Sequence, residues 1–175
     1  DRQPPGKKVI VIGGGNVAID AARTCLRLGC ESVVLAYRRA RSEMPADIEE
    51  IEQAEEEGIR FEFLNIPPEI VGHQGRLEGL KCLRAKLVTV EGQDRKFPKA
   101  IEGSDFVMEA DAVIPAIGQQ VDAACLKSVA GLDWTRRKTI QVNTITAETG
   151  EEGIFAAGDA ATGPATVIEA IGGGK

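Results

Sequence analysis

The run Val9-Ile10-Val11-Ile12-Gly13-Gly14-Gly15 constrains this chain more than any other segment. Four consecutive β-branched residues suit a strand buried on both faces, as in a parallel sheet. Three glycines end it. From Asn16 the apolar residues Val17, Ala18, Ala21, Ala22, Cys25 and Leu28 keep a helical spacing, which predicts a helix stopped by Gly29. Ser32–Tyr37 is the next predicted strand. Strand, tight loop, helix and strand in this order make a βαβ unit.

The loop reads Gly13-x-Gly15-x-x-Ala18. Gly13 permits a tight turn, Gly15 leaves room beside the backbone because it has no Cβ, and Ala18 lets the helix pack closely on the strand. Unpaired amides and the positive end of the helix dipole then face that room. This is a cradle for a dinucleotide pyrophosphate, with Gly13, Gly14, Gly15, Asn16 and Val17 as the candidate contacts. A glycine turn alone is a weak signal. One that leaves a strand, opens a helix and precedes a second strand at the right distance is a specific one.

The end of the second strand selects the nucleotide. NAD sites usually place an acid about 20 residues beyond the loop for the ribose 2′-hydroxyl. Here the chain reads Tyr37-Arg38-Arg39-Ala40-Arg41, and no acid appears before Glu43. Arg38 and Arg39 are therefore expected to bind the 2′-phosphate of NADPH. Two partly exposed charged hydrogen bonds, at roughly 1.5–3 kcal/mol each, would favour NADPH over NADH by about a hundredfold. Arg41 fits a solvated strand end as well.

A second helix is predicted from Pro45, with Ile48, Ile51 and Ala54 inward and six glutamates (49, 50, 52, 55, 56 and 57) on a solvated face. Gly58 ends it, and residues 59–64 read as a third strand. The helical period then disappears. Residues 69–71, 77–90 and 105–109 are extended stretches separated by turns at 72–75 and 91–94, which predicts an antiparallel meander. His73, the sole histidine, falls on the first turn and reads as a solvated residue. Residues 112–116 are a further buried strand, left through Ile117-Gly118. Beyond it come short strands at 139–142 and 154–157, then Gly158-Asp159, then a helix starting near Pro164-Ala165-Thr166. The expected class is α/β: a Rossmann-like parallel sheet with helices and an antiparallel β-meander insertion. Residues 7–118 form that domain. Residues 119–175 have too few strands for a sheet and read as part of a second domain.

Composition narrows the function. A formal net charge of -6 argues against nonspecific binding to nucleic acid or anionic lipid. No apolar run approaches the roughly 20 residues of a membrane span, and no signal segment opens the chain, so a cytoplasmic location is expected. Cys25, Cys30, Cys82 and Cys125 form no Cys-x-x-Cys pair. Neither a local redox dithiol nor a metal cluster is encoded, and the four read as buried or half-buried thiols.

A set of segments occurs together and in order: 11–23, the triplet Tyr37-Arg38-Arg39, Glu43-Met44-Pro45-Ala46, Ala116-Ile117-Gly118-Gln119, residues 153–159 and residues 163–171. With them the chain closely resembles the NADPH-dependent glutamate synthase small (beta) subunit and its relatives over nearly its whole length. The resemblance implies an NADPH domain inserted in an FAD domain, usually after an N-terminal iron–sulfur domain. It implies that NADPH passes hydride to FAD and that electrons leave through iron–sulfur clusters to a large catalytic partner subunit. Residues 7–118 then match the NADPH domain, with Ala116, Ile117 and Gly118 at the nucleotide. Asp20 would lie near the nicotinamide ribose and carboxamide. Residues 119–175 match the return into the FAD domain. There Gly158 and Asp159 would touch the FAD ribityl-phosphate region, and the helix near Ala165 and Thr166 would aim its amide end at the flavin.

The sequence also departs from that pattern. It holds one glycine fingerprint, not two, and lacks the cluster-ligating cysteines. It is therefore expected to be part of a larger protein, to bind NADPH, to hold FAD only in the intact protein, and not to turn over by itself. No side chain is needed as acid, base or metal ligand, because the cofactors carry the chemistry. Two other readings fit the same residues: a free-standing NADP(H)-sensing regulatory module, or the same input domain in another electron-transfer complex.

Overall fold

A computed structural model of the chain describes residues 3–90, 92, 95–122, 124–126 and 128–175. It divides into two compact units, Asp1–Ile117 and Gly118–Lys175. In the first, β1 (Lys8–Ile12), α1 (Asn16–Arg27), β2 (Ser32–Tyr37), α2 (Ile48–Glu56) and β3 (Arg60–Phe63) follow in order. Then come β4 (Asn65–His73), β5 (Arg76–Val88), β6 (Phe97–Glu109) and β7 (Ala112–Pro115). A parallel sheet has the order β3-β2-β1-β7, and an antiparallel sheet has the order β4-β5-β6.

The two-residue period of the strands sorts the core into two layers. Val9 and Val11 of β1 and Val33, Leu35 and Tyr37 of β2 pack with Ala18, Ile19 and Ala22 of α1 and Ile51 and Ala54 of α2. Ile10, Val34 and Ala36 point the other way, onto Leu80, Cys82 and Met108 of the meander. This is why β1 can be β-branched throughout: helices cover one face and the meander covers the other. Cutting Ile10 back to Ala would cost about 2–5 kcal/mol, since it lies between two filled layers.

Polar contacts fix the edges. The Asp111 carboxylate accepts the amides of Lys7 and Lys8, each at 2.8 Å, and joins the start of β1 to that of β7. Those amides, Lys8 first, hold its carboxyl below the usual range. Arg23 of α1 clasps α2 by donating to Glu57 at 2.7 and 3.1 Å, to Gln53 at 3.0 Å and to Glu50. The acidic face of α2 is thus partly an ion-paired seam and not wholly solvated.

Several elements depart from expectation. The helix predicted from Pro45 begins at Ile48, because residues 44–47 stay extended against the glycine turn. Ala46 donates to the Gly14 carbonyl at 3.1 Å, the Asp47 amide donates to Asn16 Oδ1 at 2.9 Å, and Asp47 Oδ1 caps the Glu49 amide at 3.0 Å. This shift turns Ile48 outward, 64% exposed. β6 begins well before residue 105 despite Pro98, which an edge strand tolerates. His73 closes β4, and the turn proper is Gln74-Gly75, both at positive φ as a two-residue hairpin requires. The turn expected at 91–94 lies mostly outside the described residues.

In the second unit, residues 139–142 and 154–157 are not strands. Each contributes only an isolated bridge, Trp134 with Ile140 and Glu148 with Phe155, because no neighbouring ladder is there to extend them. Two short helices follow, α3 (Asp159–Thr162), which the spacing did not predict, and α4 (Val167–Gly173), which it did.

Candidate nucleotide site

In a parallel sheet all carboxyl ends share one edge, and a ligand crevice opens where neighbouring strands lead away in opposite directions. Here β1 sits between β2 and β7. Gly13 leaves β1, Arg38 leaves β2, and Ala116-Ile117 leaves β7. The fold thus brings together three segments that lie far apart in sequence. Gly13 donates to Ala36 at 3.1 Å and Ala116 donates to Ile12 at 2.7 Å, which locks the three strand ends together.

The glycines have different neighbours. Gly13 has φ +153°, and a Cβ there would run into the Ala116 carbonyl and stand 3.0 Å from the Ala18 methyl. At Gly14 it would stand 2.5 Å from Cε2 of Tyr37. At Gly15 the nearest atom is Pro45 Cγ at 3.9 Å. Protein therefore fills the space at the first two and leaves it open at the third. Gly15 is also the cap residue of α1 and offers no side chain to its amides. Among the described residues no acceptor takes the amides of Gly14, Gly15, Asn16 or Val17. Open space over unpartnered amides, at the positive end of a twelve-residue helix, fits a pyrophosphate.

The other candidates are placed as follows. The Asn16 carboxamide oxygen is taken by the Asp47 amide. Val17 is 70% exposed beside the turn, and Asp20 is exposed one helical turn further on. Arg38 is exposed and has no ion-pair partner among the described residues. Arg39 is not the partly exposed group that the sequence led us to expect. It is 6% exposed, its Cζ lies 5.8 Å from the Phe97 ring, and its Nη1 is buried without a hydrogen-bond partner. The meander covers it, and nothing local in the sequence announces that contact. Arg41 is committed to Glu55 at 2.8 and 3.2 Å.

Gly158, Asp159, Ala165 and Thr166 converge on the α3–α4 connection of the second unit. Gly158 has φ +59° and a Cβ there would meet the Ala170 methyl at 3.2 Å. Asp159 Oδ1 accepts the Ala165 amide at 3.3 Å. Thr166 and Glu169 form a reciprocal cap, so the threonine hydroxyl and the Glu169 amide are already engaged. Val167, Ile168 and Ile171 of α4 are 75%, 82% and 56% exposed.

Two cysteines that the spacing left apart are neighbours in space. Cys25 and Cys30 are both buried, at 4% and 5% exposure, and burial first and then the Cys30 thiol push the Cys25 thiol up. They sit near the far end of α1, about 14 Å along the axis from Asn16 at 1.5 Å per residue. That places them away from the glycine turn.

A sequence model of the pyridine nucleotide-disulphide oxidoreductase family matches residues 1–174. The chain belongs to this family. It is 40% identical over 188 residues to the NADPH-Fe(3+) oxidoreductase subunit beta of Geobacter sulfurreducens, an alignment covering 95% of the chain and 28% of that protein. It is 38% identical over 171 residues to the glutamate synthase [NADPH] small chain of Azospirillum brasilense, covering 97% of the chain and 35% of that protein. The expected likeness to glutamate synthase small subunits is thus found. The chain spans only about a third of such relatives. Among solved structures, a T. acidophilum thioredoxin reductase superposes with a TM-score of 0.78 at 23% identity, over 96% of the chain and 49% of that protein, which shows the shared fold.

Proposed function

We propose that residues 7–118 of this family member are the NADPH-binding input domain of an FAD- and iron–sulfur-dependent oxidoreductase. The intact protein would pass hydride from NADPH to FAD, as in the small subunit of glutamate synthase. The observation that carries this reading is the open space at Gly15 over unpartnered amides, with Arg38 exposed at the neighbouring strand end.

In this reading the amides at residues 14–17 hold the pyrophosphate. Gly13 and Gly14 shape the turn. Arg38 binds the 2′-phosphate, and Arg39 adds positive charge from behind it. Ala116, Ile117 and Gly118 border the nicotinamide side, and Asp20 lies near the nicotinamide ribose and carboxamide. Residues 119–175 are part of an FAD domain, where Gly158, Asp159, Ala165 and Thr166 would contact the flavin nucleotide. The exposed apolar residues of α4 supply a surface for the rest of that domain. When bound, FAD supplies the hydride acceptor; the chain orients the donor and excludes competing geometry. No helix of the described residues is long and apolar enough to cross a membrane. The reading places the intact protein in the cytoplasm, paired with a large catalytic subunit.

Expressing the longer natural chain tests this. A yellow flavin spectrum bleached by NADPH is expected. A colourless full-length protein that still binds NADPH would overturn the reading and favour a nucleotide-sensing module.

A further inference from the structure

The turn that follows β2, residues 38–44, has a wall built by the β5–β6 hairpin. Arg95 Nη2 donates to the Glu43 carbonyl at 3.4 Å. Two residues on, Phe97 carries the Arg39 guanidinium over its ring. Ser42 and Glu43 of the turn and Leu87, Arg95 and Lys96 of the hairpin line a cleft of about 360 Å³, within the range that small ligands occupy.

The charges in this cleft are unevenly committed. Arg41, on the same turn, is tied to Glu55. Arg95 and Lys96 are exposed and form no ion pair among the described residues. Glu43 is the acid in the lining, and its carboxylate lies 3.5 Å from the Ala40 amide. Behind the turn, Arg39 Nη1 is buried with no acceptor. Two exposed cations, Arg95 and Lys96, thus share the cleft with one acid, Glu43, and carry no carboxylate partner of their own among the described residues.

We propose that Arg95 is a specificity-determining residue that joins Arg38 in binding the 2′-phosphate of NADPH, so that the segment before β6 adds a second guanidinium to the one at the strand end. A guanidinium suits this, because its planar fork can give two parallel hydrogen bonds to one phosphate, which an ammonium cannot. Lys96 adds a less directional charge. Arg39 acts as a positioning residue, its stack on Phe97 fixing the start of β6 and hence Arg95. The inference rests on the NADPH reading above and adds to it a residue from the connection between β5 and β6.

The test is to titrate the chain with NADPH and with NADH by calorimetry, for wild type, Arg38→Ala, Arg95→Ala and Arg95→Lys, with a melting curve for each. Arg95→Ala is expected to weaken NADPH binding about tenfold and leave NADH binding unchanged, with Arg95→Lys in between. If wild type prefers NADPH but Arg95→Ala keeps that preference, the inference falls and the NADPH reading stands. Equal losses for both nucleotides also overturn it, since they mark a structural role. If wild type shows no preference for NADPH, the reading of the strand end falls and takes the inference with it.

Discussion

Gly14 and Tyr37 meet across the glycine turn: a Cβ at residue 14 would stand 2.5 Å from Cε2 of the ring, and the ring's hydroxyl donates to the Glu43 carbonyl at 2.8 Å. One aromatic side chain therefore spans from the glycine turn to the turn that follows β2. Gly14→Ala should displace the ring, cost about 1–3 kcal/mol by overpacking, and weaken NADPH binding through the displaced Glu43. Tyr37→Phe should remove only the hydroxyl bond, at about 1 kcal/mol. Thermal melts and calorimetric titrations of the two variants check the difference. Equal stability of Gly14→Ala and wild type would refute the contact.

Gly13 and Gly15 should fail in different ways. Gly13→Ala forces a Cβ against the Ala116 carbonyl at a backbone conformation costing about 1–3 kcal/mol, so melting should fall by about 2–4 °C per kcal/mol. Gly15→Ala meets only Pro45 Cγ at 3.9 Å and has an ordinary φ of -94°. It should melt within a few degrees of wild type yet lose about tenfold or more in nucleotide affinity. A large stability loss at residue 15 would mean that its open space is not the ligand's.

The two adjacent arginines should separate by stability. Arg38 is exposed, so Arg38→Ala should change the melting temperature little while reducing the preference for NADPH. Arg39 is 6% exposed against Phe97, and Arg39→Ala should cost about 1–2 kcal/mol of packing as well as affinity. Urea titrations of both variants decide this. A fully stable Arg39→Ala would argue that the meander does not rest on it.

The α1–α2 clasp predicts a pH dependence. Arg23, first, holds the Glu57 carboxyl down at about 2 against an ordinary 4.5, with Arg27 adding to it. A depressed carboxyl contributes stability that is fully present above 4.5 and is lost as pH falls toward about 2. Arg23→Gln should therefore be less stable than wild type near neutral pH, and the gap should close across that acid window. Denaturant midpoints followed from neutral to acid pH measure it; a constant gap would assign Arg23 a packing role instead.

Buried thiols should resist modification. Burial pushes Cys82 up to about 11 and raises Cys25 as well. Both should react with a maleimide only as fast as the first unit opens, so their labelling should accelerate in step with unfolding in urea. Rapid labelling of Cys25 in the native chain would contradict the packed core around it.

Local signals carried much of this molecule. The β-branched run, the glycine turn and the helical spacing from Asn16 are short-range features, and β1, α1 and β2 follow them because each is set by residues within one turn or one strand. Errors arose where the deciding partner is distant. The start of α2 depends on contacts from residues 46 and 47 to Gly14 and Asn16. The short segments near Ile140 and Phe155 have strand-like composition but no ladder to join.

The glycine turn was legible in the sequence, because the φ of Gly13 and the crowding at Gly13 and Gly14 admit only glycine, and that leaves its mark in residue type. What the sequence could not give was the difference between Gly13, Gly14 and Gly15, or between Arg38 and Arg39. Those depend on which atoms from β7, Tyr37 and the meander arrive beside each, and only the tertiary packing supplies them. Identical neighbours in the chain thus end in a buried stack and on an open surface.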